Sequence, residues 1–304
     1  MNSADELVWD AGRRVDLLST LGPLVRGAGD PAHRVDAAGG FWRACVTPHG
    51  AGTLQLRAAG SVVTARAWGP GAAWLLEGVP TLLGERDDWS TLDLAAQPGL
   101  LDVLRSRPGL RLPATGLVLD ALTPAVLEQR VTGKEARRAW RLLLRWYGTP
   151  APGPITSLRV PPSAETLLRI PTWDWHRMGV DLQRQRAIRA AATVANRLEE
   201  CVALERDAAL ARLRVVPGVG EWTAAETAQR ALGDPDAISV GDYHLKNVVV
   251  HYFTGRPRGD DDEMCELLEP WAGQRQRVVR LIELSGVHAP RFGPRLAPLD
   301  IHAI

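Results

Sequence analysis

The sequence predicts a mainly helical protein preceded by a small α+β domain built on an antiparallel sheet. Three observations carry that reading. Short alternating apolar runs separated by Gly/Pro turns occupy residues 41–76, and apolar stripes at helical spacing fill residues 100–285. A polar, acidic stretch at 84–93 separates the two textures. A length of 304 residues suits two such domains, 1–92 and 93–304.

The elements follow in order. Residues 14–27 place Val15, Leu18, Leu21, Leu24 and Val25 on one helical stripe. After Gly39 and Gly40, the runs 41–46, 53–57, 61–67 and 73–76 read as strands of a meander, with turns at 49–52 and 69–71. Helices are expected at 100–107 and 114–130, then at 133–147, a strongly basic amphipathic segment ending at Gly148. The Pro-rich 150–162 reads as a structureless connection. Further helices are expected at 163–169, 181–199, 206–213, 221–232, 242–253, 260–271 and 274–285.

Composition narrows the function. A net charge of +1 excludes a polycation that binds by bulk charge. The distribution is uneven: residues 101–200 carry +7, and each flank carries −3. That is the signature of a localised basic face. No run approaches the roughly 18 apolar residues of a membrane helix. The first 30 residues carry acids instead of an export pattern. A cytoplasmic protein with no membrane partner is expected. Cys45, Cys201 and Cys265 are too few and too far apart for a zinc ribbon or a four-cysteine iron–sulfur cluster.

The most informative segment is 212–225, R-L-R-V-V-P-G-V-G-E-W-T-A-A. One helix ends, a tight turn runs through Val216, Pro217, Gly218, Val219 and Gly220, and a new helix begins at Glu221. Two glycines at this spacing let backbone approach a partner and aim N–H groups outward at a helix N-terminus, an arrangement that suits phosphate. An ordinary helix connection would read the same way locally. Seventeen residues beyond Glu221 begins I-S-V-G-D-Y-H-L-K, with Asp242 at a helix start. Locally that aspartate is a sufficient N-cap, and functionally it is a carboxylate set beside a backbone-gripping hairpin.

The hairpin (213–222), a helix, then Gly-Asp at this offset resembles the helix–hairpin–helix DNA glycosylase superfamily. Its alkylation-repair branch, bacterial 3-methyladenine DNA glycosylase II, is the most similar in pattern. That branch has an N-terminal α/β domain related to the TATA-binding-protein half-fold, which matches the texture change near residue 90. The likeness covers about 114–285 by motif and 15–80 by pattern alone. Leu127-Glu128-Gln129, Met178-Gly179-Val180 ahead of Arg184 and Arg186, and Trp271 ahead of Arg275 support it.

The resemblance implies a monofunctional enzyme of base excision repair that flips a damaged base from duplex DNA and hydrolyses its glycosidic bond. Asp242 would be catalytic, stabilising an oxocarbenium-like sugar and handling the attacking water. Strand-cleaving relatives place a lysine nucleophile where this chain has Trp222, which cannot form a Schiff base. Val216, Gly218, Val219 and Gly220 would grip phosphates through backbone N–H groups, with Lys246 and Arg130 as further DNA contacts. Carbonyls of Arg214, Val216 and Val219 would hold a structural Na+ or K+, and no other cofactor is required. Trp222, Tyr243, Gln129 and Glu226 would surround the base, the aromatic rings favouring a cationic alkylated purine. A monomer associated with the nucleoid is expected.

Three departures bear on the substrate. The branch's apolar wedge falls at Arg130, which either plugs the stack with its planar group or contacts phosphate. A pocket aromatic one helical turn after Trp222 is Glu226. A C-terminal pocket Trp has no counterpart in 286–304, leaving Trp175 or Trp173 as substitutes. Two other readings stay open: a binding protein of the same architecture with little turnover, and a glycosylase for oxidised or deaminated bases. His244 and His251, seven apart, do not make a metal site.

Overall fold

The computed structural model describes residues 4–290. Strands β1 (Asp5–Asp10), β2 (His33–Val35), β3 (Phe41–Thr47), β4 (Gly50–Ala59) and β5 (Val62–Trp68) form an antiparallel sheet in the order β1-β5-β4-β3-β2. β1 is an edge strand whose acids suit that place; Glu6 faces Arg66 across the pair and accepts its Nε–H at 3.0 Å. Helix α1 (Leu17–Leu21), capped by the Asp16 carboxylate, lies between β1 and β2. Helices α2 (Ala72–Glu77) and α3 (Val79–Leu82) follow β5. Residues 73–76, expected as strand, are therefore helical. Leu75 and Val79 enter the core formed by Phe41, Leu54, Leu56 and Val63, and this tertiary burial overrides the local alternation.

The body contains α4 (Pro98–Ser106), α5 (Val118–Leu127), α6 (Gly133–Tyr147), α7 (Ala164–Arg169), α8 (Thr172–Arg177), α9 (Leu182–Thr193), α10 (Ala195–Glu199), α11 (Arg206–Arg214), α12 (Glu221–Ala231), α13 (Leu245–Thr254), α14 (Asp261–Leu268) and α15 (Arg275–Leu284). Two cores organise it. One joins α5 to α12 around Leu122, Trp140, Leu143, Trp175 and Ile188. The other joins Trp89, Leu92, Leu100 and Leu110 to Val249, Leu268 and Ile282. The chain thus enters the second lobe, leaves it to build the first, and returns. Trp89 and Leu92 lie with the helical lobe, just ahead of the division read at 92. The expected end of the helical domain at 304 lies outside the described residues, as does most of the 286–304 segment.

The 150–162 connection is ordered, contrary to the sequence reading. β6 (Thr149–Pro150) pairs with β7 (Arg159–Val160). Leu158 and Val160 cover the outer face of the sheet against Trp42 and Trp68, whose rings stack at 5.3 Å. Arg159 ties the segment down, donating to the carbonyls of Leu144 (2.7 Å) and Gly148 (2.6 Å).

Asp30 joins the sheet domain to α6. It is buried and accepts from the N–H groups of Arg26 and Ala32, from the Trp140 indole at 2.9 Å, and pairs with His33 at 3.0 Å. Burial pushes its carboxyl upward, yet His33 and these donors outweigh that and hold it at about 2. A depressed carboxyl stabilises the fold above its ordinary value near 3.8, and that contribution disappears as pH falls toward 2. We expect roughly 2 kcal/mol of stability to vanish across that window. Denaturant melts from pH 5 to 2 on the native chain and on Asp30→Asn check this, since the variant's profile is expected to be flatter there.

Candidate active site

The hairpin joins α11 to α12, the two helices packing within the first lobe. Gly218 has φ +85°, open to glycine at little cost, and a Cβ there would meet the Ala187 Cβ at 2.7 Å. Its glycine is therefore required by the turn and by close packing on α9. At Gly220 a Cβ would meet nothing within 4 Å. The side that can receive a partner is thus the Gly220 side, leading into α12. The first N–H groups of that helix have no partner within the helix.

Two hairpin assignments are corrected. The Val216 N–H donates to the Leu213 carbonyl (3.2 Å) and the Val219 N–H to the Val216 carbonyl (3.0 Å). Both amides serve the turn itself, and both side chains are buried. Neither is placed to bind phosphate by its N–H. The Val216 carbonyl, one of the three expected around a monovalent cation, accepts from the Val219 N–H within the turn.

Asp242 sits on the return into the second lobe, three residues ahead of α13. Its Oδ1 accepts from the N–H groups of His244 (2.7 Å) and Leu245 (2.8 Å), which is capping of α13. Its Oδ2 accepts from the Trp222 indole at 3.1 Å. One oxygen is fixed by backbone and the other by a side chain from the first turn of α12. The carboxylate thus spans the junction of the lobes, beside the hairpin and half-exposed.

Along α12, one turn beyond Trp222, Glu226 accepts from Ser239 Oγ (2.5 Å) and pairs with Arg230 (2.9 Å). Arg230 also reaches the Pro23 carbonyl at 3.0 Å. Ser239 lies three residues before Asp242, so it couples the Glu226 carboxylate to the loop that carries Asp242. Sequence reasoning missed Ser239 and Arg230. The E-x-x-x-R spacing from Glu226 was the available signal.

Gln129 takes a different role from the base contact expected. Its amide nitrogen donates to the Gly218 carbonyl (2.9 Å) and to Thr223 Oγ1 (2.8 Å), clamping the hairpin to the end of α5. We expect Gln129→Ala to cost about 1–2 kcal/mol, read as a lowered urea midpoint, and to weaken DNA binding through a looser hairpin. An unchanged midpoint would refute the clamp.

Trp175 is also corrected: it is fully buried among the core residues of the first lobe and cannot line a pocket for base. Trp173 is 69% exposed two residues earlier. Lys246 is held by Asp261 at 2.7 Å, so its charge is matched within the fold. Tyr243 stands 78% exposed with its ring edge-on to His244. Arg130 is exposed, and at φ +54° it is the sole non-glycine residue with positive φ among the described residues. That backbone is disfavoured for an arginine, and the strained tip projects directly after the Gln129 clamp.

With this geometry in view, the fold is that of the helix–hairpin–helix DNA glycosylases. The 3-methyladenine DNA-glycosylase from Archaeoglobus fulgidus superposes with a TM-score of 0.77 at 16% identity, covering 92% of this chain and 98% of that one. The 8-oxoguanine glycosylase/lyase of Clostridium acetobutylicum, in its apo form, gives 0.71 at 11% identity, covering 94% and 98%. In sequence, a Mycobacterium tuberculosis protein described as a probable bifunctional transcriptional activator/DNA repair enzyme AlkA is 36% identical over 160 residues, half of this chain. The match spans 31% of that relative's length. No protein-family model matches the chain. No helix among the described residues is long and apolar enough to cross a membrane.

Proposed function

We propose that the chain is a monofunctional DNA glycosylase of base excision repair, hydrolysing the N-glycosidic bond of flipped-out alkylated purines such as 3-methyladenine and 7-methylguanine. The observation that carries this reading is the Asp242 carboxylate, fixed by two backbone amides and the Trp222 indole beside the hairpin. A hairpin that only binds needs no oriented carboxylate there.

The free N–H groups at the start of α12 receive a phosphate, and Arg130 enters the stack or braces it. Asp242 faces the sugar that gains positive charge as the bond breaks, and its fixed orientation avoids reorganisation at that moment. It also orients or deprotonates the attacking water. An alkylated purine leaves without a strong general acid, because it is already cationic. The carbonyls of Arg214, Val216 and Val219 are neutral hard donors at the negative end of α11 and suit Na+ or K+. Such an ion, when bound, offsets part of the phosphate charge.

One observation favours a second reading of the lesion. Glu226, held by Ser239 and Arg230, puts a carboxylate where a purely aromatic cage would be apolar, and an acceptor there suits a base that presents N–H groups, such as an oxidised or deaminated purine. Duplexes carrying a methylpurine, 8-oxoguanine or hypoxanthine, incubated with the chain and borohydride, test both points. We expect free methylpurine and no trapped protein–DNA adduct. Release confined to 8-oxoguanine or hypoxanthine would move the assignment to the second reading, and an adduct would overturn the monofunctional one.

A further inference from the structure

Many arginines of this fold are neutralised internally. Arg26 pairs with Glu128, Arg43 with Asp120, Arg184 with Asp181, and Arg277 with Asp87. Helix α6 carries a row of basic side chains of another kind. Lys134, Arg137, Arg141 and Arg145 recur at intervals of three, four and four residues and so share one stripe. None of the four pairs with an acid among the described residues. The single acid of α6, Glu135, turns back to cap Thr132 and is thereby occupied. Arg138 borders the stripe with its guanidinium near Gly179.

The loop 27–29 lies against this stripe. A side chain at position 27 would collide with Arg137 Cδ, and one at 29 would touch Arg141 Cδ at 3.8 Å. The loop is also left-handed at both glycines, φ +79° and +81°. It thus stays low between two basic hollows. One, of about 510 Å³, is bordered by Arg26, Arg137, Arg230 and Arg280, with Glu128 and Glu283. The other, of about 500 Å³, is bordered by Arg34, Arg145 and Arg159, with Asp30 buried at its floor. In each, arginines outnumber carboxylates.

The stripe also has an address. α6 begins three residues after Arg130 and four after Gln129, which grips the hairpin at Gly218. Its 15 residues run about 22 Å from there, the rise of roughly six base pairs. We propose that this face of α6 with the 27–29 loop is a second DNA contact, binding the sugar–phosphate backbone of the duplex that flanks the lesion. The inference rests on the DNA-binding part of the proposed function. The partner follows from charge complementarity: a row of cations without acid partners among the described residues, exposed at Lys134, Arg137 and Arg145 and half-buried at Arg141, starting a few residues after the Gln129 clamp on the hairpin, matches a polyphosphate strand.

The test uses the full chain with Arg137, Arg141 and Arg145 all changed to Gln, a helix-compatible replacement on an accessible face. Affinity for duplexes of about 25 and about 11 base pairs, each with one central stable abasic-site analogue, is measured over a salt series. The short duplex extends only about five base pairs beyond the lesion and stops short of the far end of the stripe at Arg145. On the long duplex, we expect the variant to bind roughly 10- to 100-fold more weakly at low salt. Its log–log salt slope should be shallower by about 2–3, near 0.9 per phosphate lost. The loss should be clearly smaller on the short duplex, and Arg→Lys at the same positions should restore the long-duplex affinity. Equal affinity and slope of variant and native chain on the long duplex would overturn the second contact, as would equal loss on both lengths. A native chain that binds neither duplex would instead refute the DNA reading itself.

Discussion

Asp242→Asn is expected to lower the single-turnover rate of base release by at least roughly 10²–10³-fold while leaving duplex binding within a few-fold of native. The asparagine preserves shape but removes the negative charge opposite the sugar. It also sets two donors among three: the indole N–H of Trp222 and the amides of His244 and Leu245 all point at the carboxylate. Only one amide oxygen can accept, so either the cap of α13 or the indole bond is lost. Quench-flow release from methylated duplex, alongside anisotropy for binding, separates the two effects. A rate within tenfold of native would remove Asp242 from the chemistry.

The second large effect concerns stability. Asp87 lies in the 84–93 stretch that reads as a linker in sequence, yet it is among the most connected carboxylates of the molecule. Its Oδ1 accepts from Arg277 Nε (2.9 Å) and Nη2 (2.6 Å), and its Oδ2 from the Trp89 indole (2.5 Å) and the Leu112 N–H (2.6 Å). Both partners of the pair are nearly buried, at 6% and 8% side-chain exposure. Removing the acid strands a guanidinium in a low-dielectric site. We expect Asp87→Ala to destabilise by about 3–5 kcal/mol. Urea unfolding followed by Trp fluorescence checks it. A loss below about 1 kcal/mol would show that Gln274 and Asp88 can replace Asp87.

These two residues illustrate what the sequence discloses. The place of Asp242 beside the hairpin was legible because it depends on local motifs, the hairpin and a Gly-Asp at fixed offset. Helix α6 was legible end to end, since Thr132, Glu135 and Gly148 are boundary signals within the element itself. Asp87 was not legible: apart from Trp89, its partners are 190 and 25 residues away, and nothing near it in sequence distinguishes a knot from a loop. The same holds for β7, a two-residue strand that exists because Trp42 and Trp68 need cover. The pair Trp173 and Trp175 shows the limit most plainly. Two tryptophans in one short helix, α8, have opposite fates, one exposed and one fully buried, because the turn of α8 aims only one at the core. Around Asp242, the elements were legible but their partners were not. Gln129, Val216, Val219 and Lys246 all lie close to where the motif places them, yet tertiary hydrogen bonds commit them to holding the site together.

The most direct test of the central claim is chromatographic analysis of bases released from methylated duplex DNA by the full native chain. We expect free 3-methyladenine or 7-methylguanine with an intact abasic strand. Retained binding to that duplex with no free base released would contradict it, and would leave a helix–hairpin–helix protein that binds DNA without turnover.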